Sequence, residues 1–160
     1  NLFLDTLNFK LLQCGVSKKD LPYEESWSFR PNGFISQSLG SSVHIDFRDR
    51  KSMDLAPRMA IIIPPNMWHR AVSRLTPIQN QTVYRWAHFQ FFVAHSLDVF
   101  SFFDLPFAAT GNAAECFGEF NETMTRISED KTLSALETAA GIKKTAFEIL
   151  DLLLGLFFFP

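Results

Sequence analysis

Three polar-tipped aromatic side chains recur at every second residue in Tyr84-Arg85-Trp86-Ala87-His88-Phe89. At that spacing Tyr84, Trp86 and His88 share one face of a strand. An indole offers a flat stacking surface, while a phenol and an imidazole offer directional hydrogen bonds. Together they suit a small polar ligand held at a barrel mouth. Arg30 and His69 are secondary ligand candidates. A guanidinium can pair with a ligand carboxylate, although Glu24 and Glu25 offer Arg30 a surface salt bridge. His69 follows the Pro64-Pro65 turn and reads first as a structural hydrogen bonder at a rim. Metal chemistry needs three or four converging ligands, usually with two histidines, and His44 and His69 alone are too few. No metal and no cofactor is expected. No G-x-S-x-G elbow occurs, and nothing places Ser, His and Asp as a triad.

The elements that must position these residues are short strands up to about residue 110. Turn residues such as Pro31-Asn32-Gly33, Gly40-Ser41-Ser42, Arg48-Asp49-Arg50 and Pro64-Pro65-Asn66 punctuate them roughly every 8–12 residues, the spacing of a sandwich or barrel. Strands are predicted at Phe9–Cys14, Ser26–Arg30, Phe34–Leu39, Val43–Phe47, Ser52–Leu55, Ala60–Ile63, Arg70–Arg74 and Thr82–Val93. A short helix is predicted before Pro106. From residue 111 the period changes to 3.6. Cys116, Phe117, Phe120, Met124 and Ile127 form one stripe, and Leu133, Leu136, Ala140, Phe147, Leu150, Leu154 and Phe157 a longer one. Thr132 is the predicted N-cap of the second helix, with Ala135 where a capping-box Glu would stand. The organisation is therefore a barrel over residues 1–110 and a helical hairpin over 111–160.

Composition bounds the function. The chain has 160 residues, 47% of them hydrophobic and 20% charged, which fits one domain with a sizeable core. A net charge of −2 excludes a broad electrostatic footprint for nucleic acid or an anionic membrane. Eighteen Phe point to a filled core and an apolar cavity or interface. Cys14 and Cys116 form no metal or disulfide pattern, so a reducing cytoplasm is the default. The longest apolar run, Leu152–Pro160, is shorter than the ~20 residues a span needs, and no membrane partner is expected. The chain begins without Met and stops at Phe157-Phe158-Phe159-Pro160, which reads as cuts in a longer protein.

Arg58 to Ser73 resembles in spacing the second motif of cupin barrels, G-x5-P-x-G-x2-H-x3-N, with Arg58, Asn66 and Ser73 in place of the two Gly and the Asn. The first cupin motif, H-x-H-x3-4-E, is matched only by His44, with Asp46 and Arg50 at the other ligand positions. Taken in order, Cys14-Gly15, Gly40, Leu55-Ala56-Pro57-Arg58, Ile63 to His69, Tyr84 to Phe89 and the Leu-rich stretch Ala146–Leu154 resemble the N-terminal sensor and dimerisation domain of AraC-type transcriptional regulators.

That resemblance implies a mainly β, cupin-like double-stranded β-helix (a jelly-roll barrel) followed by a C-terminal helical hairpin. It implies an effector-sensing role without catalysis, with a sugar or other small metabolite held by Tyr84, Trp86 and His88, the indole stacking on it. Leu39 and Ala71 stand where a sugar-binding member has Arg and Tyr. The resemblance also implies a homodimer through Phe147, Leu150, Leu154 and Phe157, and DNA binding only through a C-terminal domain outside this chain. Leu133–Thr145 superficially resembles a helix-turn-helix, but Glu137 and the apolar seam through Gly141 read as one long helix. The alternatives are a metal-dependent cupin enzyme, such as a sugar isomerase or dioxygenase, and a purely structural dimerisation module.

Overall fold

In the computed structural model, which describes residues 6–158, ten strands precede two helices. Residues 1–5, and the Phe159-Pro160 end of the terminal apolar run, lie outside the described residues. The strands are β1 (Asn8–Asp20), β2 (Tyr23–Glu24), β3 (Gly33–Ser38), β4 (Val43–Phe47), β5 (Met53–Leu55), β6 (Ala60–Ile63), β7 (His69–Ser73), β8 (Gln81–Val93), β9 (Leu97–Asp98) and β10 (Phe107–Ala109). A 3-10 turn spans Val99–Phe102, and α1 (Gly111–Glu129) and α2 (Ala135–Phe158) follow. One sheet runs β1-β8-β3-β6-β10 with β9 on β8, and the other runs β2-β7-β4-β5. The pairs β3–β8 and β4–β7 are both antiparallel and nested along the chain. Nested antiparallel pairs rolled into two facing sheets make a jelly roll, so the fold is mainly β with a C-terminal helical segment.

The first sheet is covered on both sides over most of its width, although Leu12 and Val16 of β1 stay about half exposed. Its inner side lines the barrel, and its outer side is covered by α1 and α2. Ala87, Phe89 and Phe91 of β8 point outward into a core shared with Ala114, Phe117 and Met124 of α1 and with Ala146, Ile149 and Leu153 of α2. Inside the barrel, Val43, Ile45, Phe47, Leu55, Ile61 and Ile63 form a second apolar cluster. Gly118 marks where α1 comes closest. A Cβ there would lie 2.0 Å from Gln37 Oε1 and 2.5 Å from Arg85 Nη2, so only glycine fits. Beneath it, Arg85 is 6% exposed. Its guanidinium donates to Gln37 Oε1, to Glu115 at 3.0 Å and to Glu122 at 3.2 Å, tying strand to helix.

Several expectations are corrected. Ser26–Arg30 is not a strand but a strap along β7. It makes one bridge, Ser28 to His69, just after Glu25 N donates to Ala71 O at 2.9 Å, and Pro31 ends it. β1 extends to Asp20 because a bulge between Leu11 and Gln13 lets it stay paired with the long β8. Two strands, β2 and β9, are two residues long and β10 is three, too short for a periodicity to show. The cap of α2 is Ser134, not Thr132. Ser134 N donates to Glu137 Oε2 at 2.8 Å and Ser134 Oγ accepts from Glu137 N at 3.3 Å, a complete capping box. Gly141 lies inside an unbroken α2, as the long-helix reading expected.

The apolar stripe of α2 is rotated from the expected one. Leu136 is 81% exposed and Phe147 38%, whereas Thr145, Ala146, Ile149, Leu150 and Leu153 are buried. Leu150 and Leu154 pack on the chain's own core, and the Phe157 ring lies 5.2 Å from Phe103 and 4.9 Å from Phe107. Of the four expected dimer contacts Leu150 is thus buried within the chain, Leu154 and Phe157 are partly buried in it and Phe147 stays exposed, because α2 lies on the barrel sheet as well as on α1. At the positions where the resembled turns carry glycine, Arg58 and Asn66 adopt φ of 70° and 60°. The left-handed turns survive the loss of glycine.

Candidate functional site

The site is built from alternation. On β8, Thr82, Tyr84, Trp86 and His88 face inward while Val83, Arg85, Ala87 and Phe89 face the helices. β3 pairs so that Phe34 is opposite His88, Ser36 opposite Trp86 and Ser38 opposite Tyr84. On the other side, past the bulge, Gln13 pairs with His88, Gly15 with Trp86 and Ser17 with Tyr84. The inward rows of these three neighbouring strands are therefore mostly polar. Val43 and Ile45 of β4 and Leu55 of β5 face them from the opposite sheet, and Ile61 and Ile63 of β6, beside β3, continue the aliphatic wall. Between the two walls lies a cavity of about 580 Å³, which Tyr84, Trp86 and His88 all line.

Trp86 stands on edge against β1. Its Nε1 donates to Ser17 Oγ at 2.9 Å, and its six-membered ring passes so close to Gly15 that a Cβ there would lie 2.7 Å from Cζ2. Glycine at this position creates the slot for the indole. Tyr84 is buried and its hydroxyl bonds Ser73 Oγ, part of a hydroxyl cluster in which Ser38 Oγ meets Ser41 at 3.0 Å and Thr82 at 2.9 Å. Burial pushes the Tyr84 phenol above its ordinary range, so it remains a neutral hydroxyl.

His88 is 9% exposed, its ring 4.4 Å from Phe34 and stacked on it. Asn32 Nδ2 lies 3.2 Å from the Gly33 carbonyl and 3.1 Å from His88 Nδ1. Because a carbonyl only accepts, Asn32 presents its amino group to both. His88 Nδ1 is then the acceptor, and the proton sits on Nε2. Burial, then the positive field of Arg30, then that of His69, lower the His88 pKa to about 4. His69 is buried in the cavity wall, its Nδ1 donating to Met67 O at 2.9 Å, and its ring stacks on Phe34 at 6.0 Å.

The secondary candidates separate in an informative way. Arg30 lines the cavity but makes no pair with Glu24 or Glu25. Glu24 is held by Arg70 at 2.8 Å, and Glu25 accepts from the Tyr23 hydroxyl at 3.5 Å. The expected surface salt bridge of Arg30 is corrected accordingly. His44 and His69 cannot share an ion. In the β4–β7 register His69 is opposite the inward Phe47, whereas His44 faces outward between Asp54 at 2.7 Å and Asp46 at 3.1 Å. Among the described residues no three His, Cys, Asp or Glu side chains converge as metal ligands. Trp68 sits at the rim, 3.9 Å under the Arg48 guanidinium and 5.1 Å from Phe29. Ala71 lines the cavity.

Sequence reasoning missed the inward row of β1, because the bulge breaks its alternation, and it missed Asn32, whose role depends on a carbonyl and an imidazole brought together by folding. No helix among the described residues is long and apolar enough to cross a membrane.

No family model matches the chain, and no curated protein matches it in sequence. Among solved structures it is similar to a cupin superfamily protein from Desulfitobacterium hafniense, with 12% identity over 52% of this chain and 77% of that one, at a TM-score of 0.39. An RmlC-like cupin from Shewanella frigidimarina matches with 16% identity over 51% and 76%, at a TM-score of 0.37. A protein from Ralstonia eutropha, named as a candidate mannose-6-phosphate isomerase, matches with 18% identity over 55% and 94%, at a TM-score of 0.36. The likeness concerns the fold and assigns no ligand to the cavity. It does correct one expectation: with a structure named for catalysis among these neighbours, the sequence reading that the chain is not an enzyme is withdrawn. These similarities place the chain beside cupin structures in fold.

Proposed function

We propose that the chain is the effector-sensing and dimerisation module of a bacterial AraC-type transcriptional regulator, acting in the cytoplasm. A small molecule, such as a sugar or another metabolite, occupies the barrel, and DNA is contacted by a helix-turn-helix domain outside this chain. The observation that carries the reading is the cavity of about 580 Å³ walled on one side by Tyr84, Trp86 and His88 and on the other by aliphatic side chains. That volume suits a compact metabolite, and the wall offers it one stacking face and several directional groups. The ordered run of motifs from Cys14-Gly15 to the Leu-rich helix supports the regulator assignment. A homodimer would use the outward row of α2, where Leu136 and Phe147 stay exposed.

A thermal-shift screen of sugars and small acids tests the reading. A compound that raises the melting temperature of the wild type and fails to do so for Trp86→Ala supports it. A wild-type protein indifferent to every compound, with solvent-insensitive Trp fluorescence, overturns it. Sedimentation tests the dimer, which Leu136→Glu with Phe147→Glu should convert to folded monomers.

A further inference from the structure

The charges at one end of the cavity are unequal. Arg30 is exposed at the mouth, and its Nε donates to Ser28 Oγ at 3.2 Å. No carboxylate among the described residues pairs with its two terminal nitrogens. Every acid near the strap is committed elsewhere: Glu24 to Arg70 and Asp46 to Arg70 and His44, with Glu25 beside the Tyr23 hydroxyl. The same end holds His88, whose Nε2 carries the proton because Asn32 and the Gly33 carbonyl fix the tautomer. No group among the described residues accepts that proton. An unpaired guanidinium and a neutral N–H donor thus line the same cavity, with Arg30 two residues before the Asn32 that holds the His88 ring, and no carboxylate among the described residues pairs with either.

The low proton affinity of His88 reports the same imbalance, since the charge of Arg30 opposes any further positive charge there. The other charged side chains that line the cavity, Lys19, Glu24 and Glu25, each have a partner of their own in the Tyr23 ring, Arg70 and the Tyr23 hydroxyl. Trp86 flanks His88, the two ring centres 5.7 Å apart, and the β4 and β5 part of the aliphatic wall lies opposite. A site offering one cation and one neutral donor matches a monoanion. A phosphate dianion would be left with an uncompensated charge in a partly buried place.

Resting on the reading of the barrel as a ligand site, we infer that the ligand is a small organic acid. Its carboxylate docks on Arg30 and His88 Nε2–H, and its body lies between Trp86 and the aliphatic wall. Arg30 is then a specificity-determining residue, selecting the acid over the neutral analogue of the same shape, while Trp86 serves both.

The test is calorimetric titration of the chain with matched pairs at equal ionic strength: D-galacturonate against D-galactose, and benzoate against benzyl alcohol. The acid of at least one pair should bind on the order of tenfold more tightly than its neutral partner, the range expected for a charged hydrogen bond. Arg30→Gln should erase that preference by weakening the acid far more than its neutral partner, and Arg30→Lys should keep part of it. Trp86→Ala should weaken both members. Arg30 is exposed, and circular dichroism on each variant establishes that it is folded. If the neutral member binds as tightly as the acid, or Arg30→Gln keeps the preference, the inference is overturned while the ligand-site reading stands. If no member of either pair binds, both fall together.

Discussion

Replacing Gly15 with Ala should reverse sign according to what stands at position 86. In the wild type the new methyl would lie 2.7 Å from Trp86 Cζ2 and 3.0 Å from Cε2, where ordinary contact begins at 3.4 Å. The indole must retreat by about 0.7 Å, the difference between those distances, into the cavity and off its 2.9 Å bond to Ser17. Overpacking of this kind costs about 1–3 kcal/mol. Against it, alanine restricts the unfolded chain and returns ~0.4–1 kcal/mol. The net is a loss of about 1 kcal/mol, within a range of ~0–2.6 kcal/mol, and the central value lowers Tm by roughly 2–4 °C for a chain of this size. In a Trp86→Ala background the clash is gone and only the favourable part remains, so the same substitution should stabilise by ~0.4–1 kcal/mol. Urea unfolding followed by circular dichroism on the four proteins of the cycle gives both numbers. Equal effects of Gly15→Ala in the two backgrounds would show that the indole does not lie in the glycine slot, and the cavity wall as described would be wrong.

Stability should also depend on pH through His88. Its folded pKa, near 4, lies below the unfolded 6.5, so the unfolded chain binds more protons between those values. Its contribution is complete above pH 6.5 and disappears as the pH falls towards 4. After solvent screening in the cavity it amounts to roughly 1–2 kcal/mol, and urea titrations of the wild type and His88→Gln should differ in slope within that window. His44 works the other way: the hydrogen bond to Asp54 raises its pKa, so its smaller contribution is present below 6.5 and lost as the pH rises through its folded value. Arg85→Met should destabilise by about 3 kcal/mol, the low end for a broken buried pair because Glu122 is largely exposed, and hydrogen exchange should show α1 loosened from the sheet. Ser134→Ala should cost ~1 kcal/mol by opening the capping box, measurable by urea unfolding, while Thr132→Ala leaves α2 unchanged.

The strands that announced themselves were those that alternate without interruption and end at strong turn residues. Val43–Phe47 and Ala60–Ile63 match residue for residue, and β8 is off by one at its start. The inward face of β8 was legible because a polar-tipped aromatic stood at every second position. β1 was opaque for a definite reason. Phe9 and Leu11 pair with Phe91 and Phe89 on the helix side, but Gln13 and Gly15 pair with His88 and Trp86 on the cavity side. One inserted residue moves odd positions from one face to the other, and no sequence period describes both halves. The stripe of α2 failed differently. Leu136 and Phe147 fit a helical spacing as well as Ile149 and Leu153 do, and only the position of the barrel sheet decides which row is buried. Arg30 was legible as a ligand candidate from its guanidinium alone, but Asn32 was beyond reach because its meaning lies in a carbonyl and an imidazole brought together by folding.

The two-sided burial of β8 also determines where this chain can change length. Its inward row is polar and lines the cavity, while its outward row of Arg85, Ala87, Phe89 and Phe91 is committed to the helices. Deleting one residue inside the strand would exchange the rows downstream, sending phenylalanines into the cavity and an imidazole under a helix. No solvent face exists to absorb the error. The hairpin loop leading into the strand has no such constraint: Leu75 and Ile78 are 57% and 96% exposed. Descendants of this sequence can therefore lengthen or shorten around residues 75–80, whereas from residue 82 to residue 93 they can alter side chains but not their number.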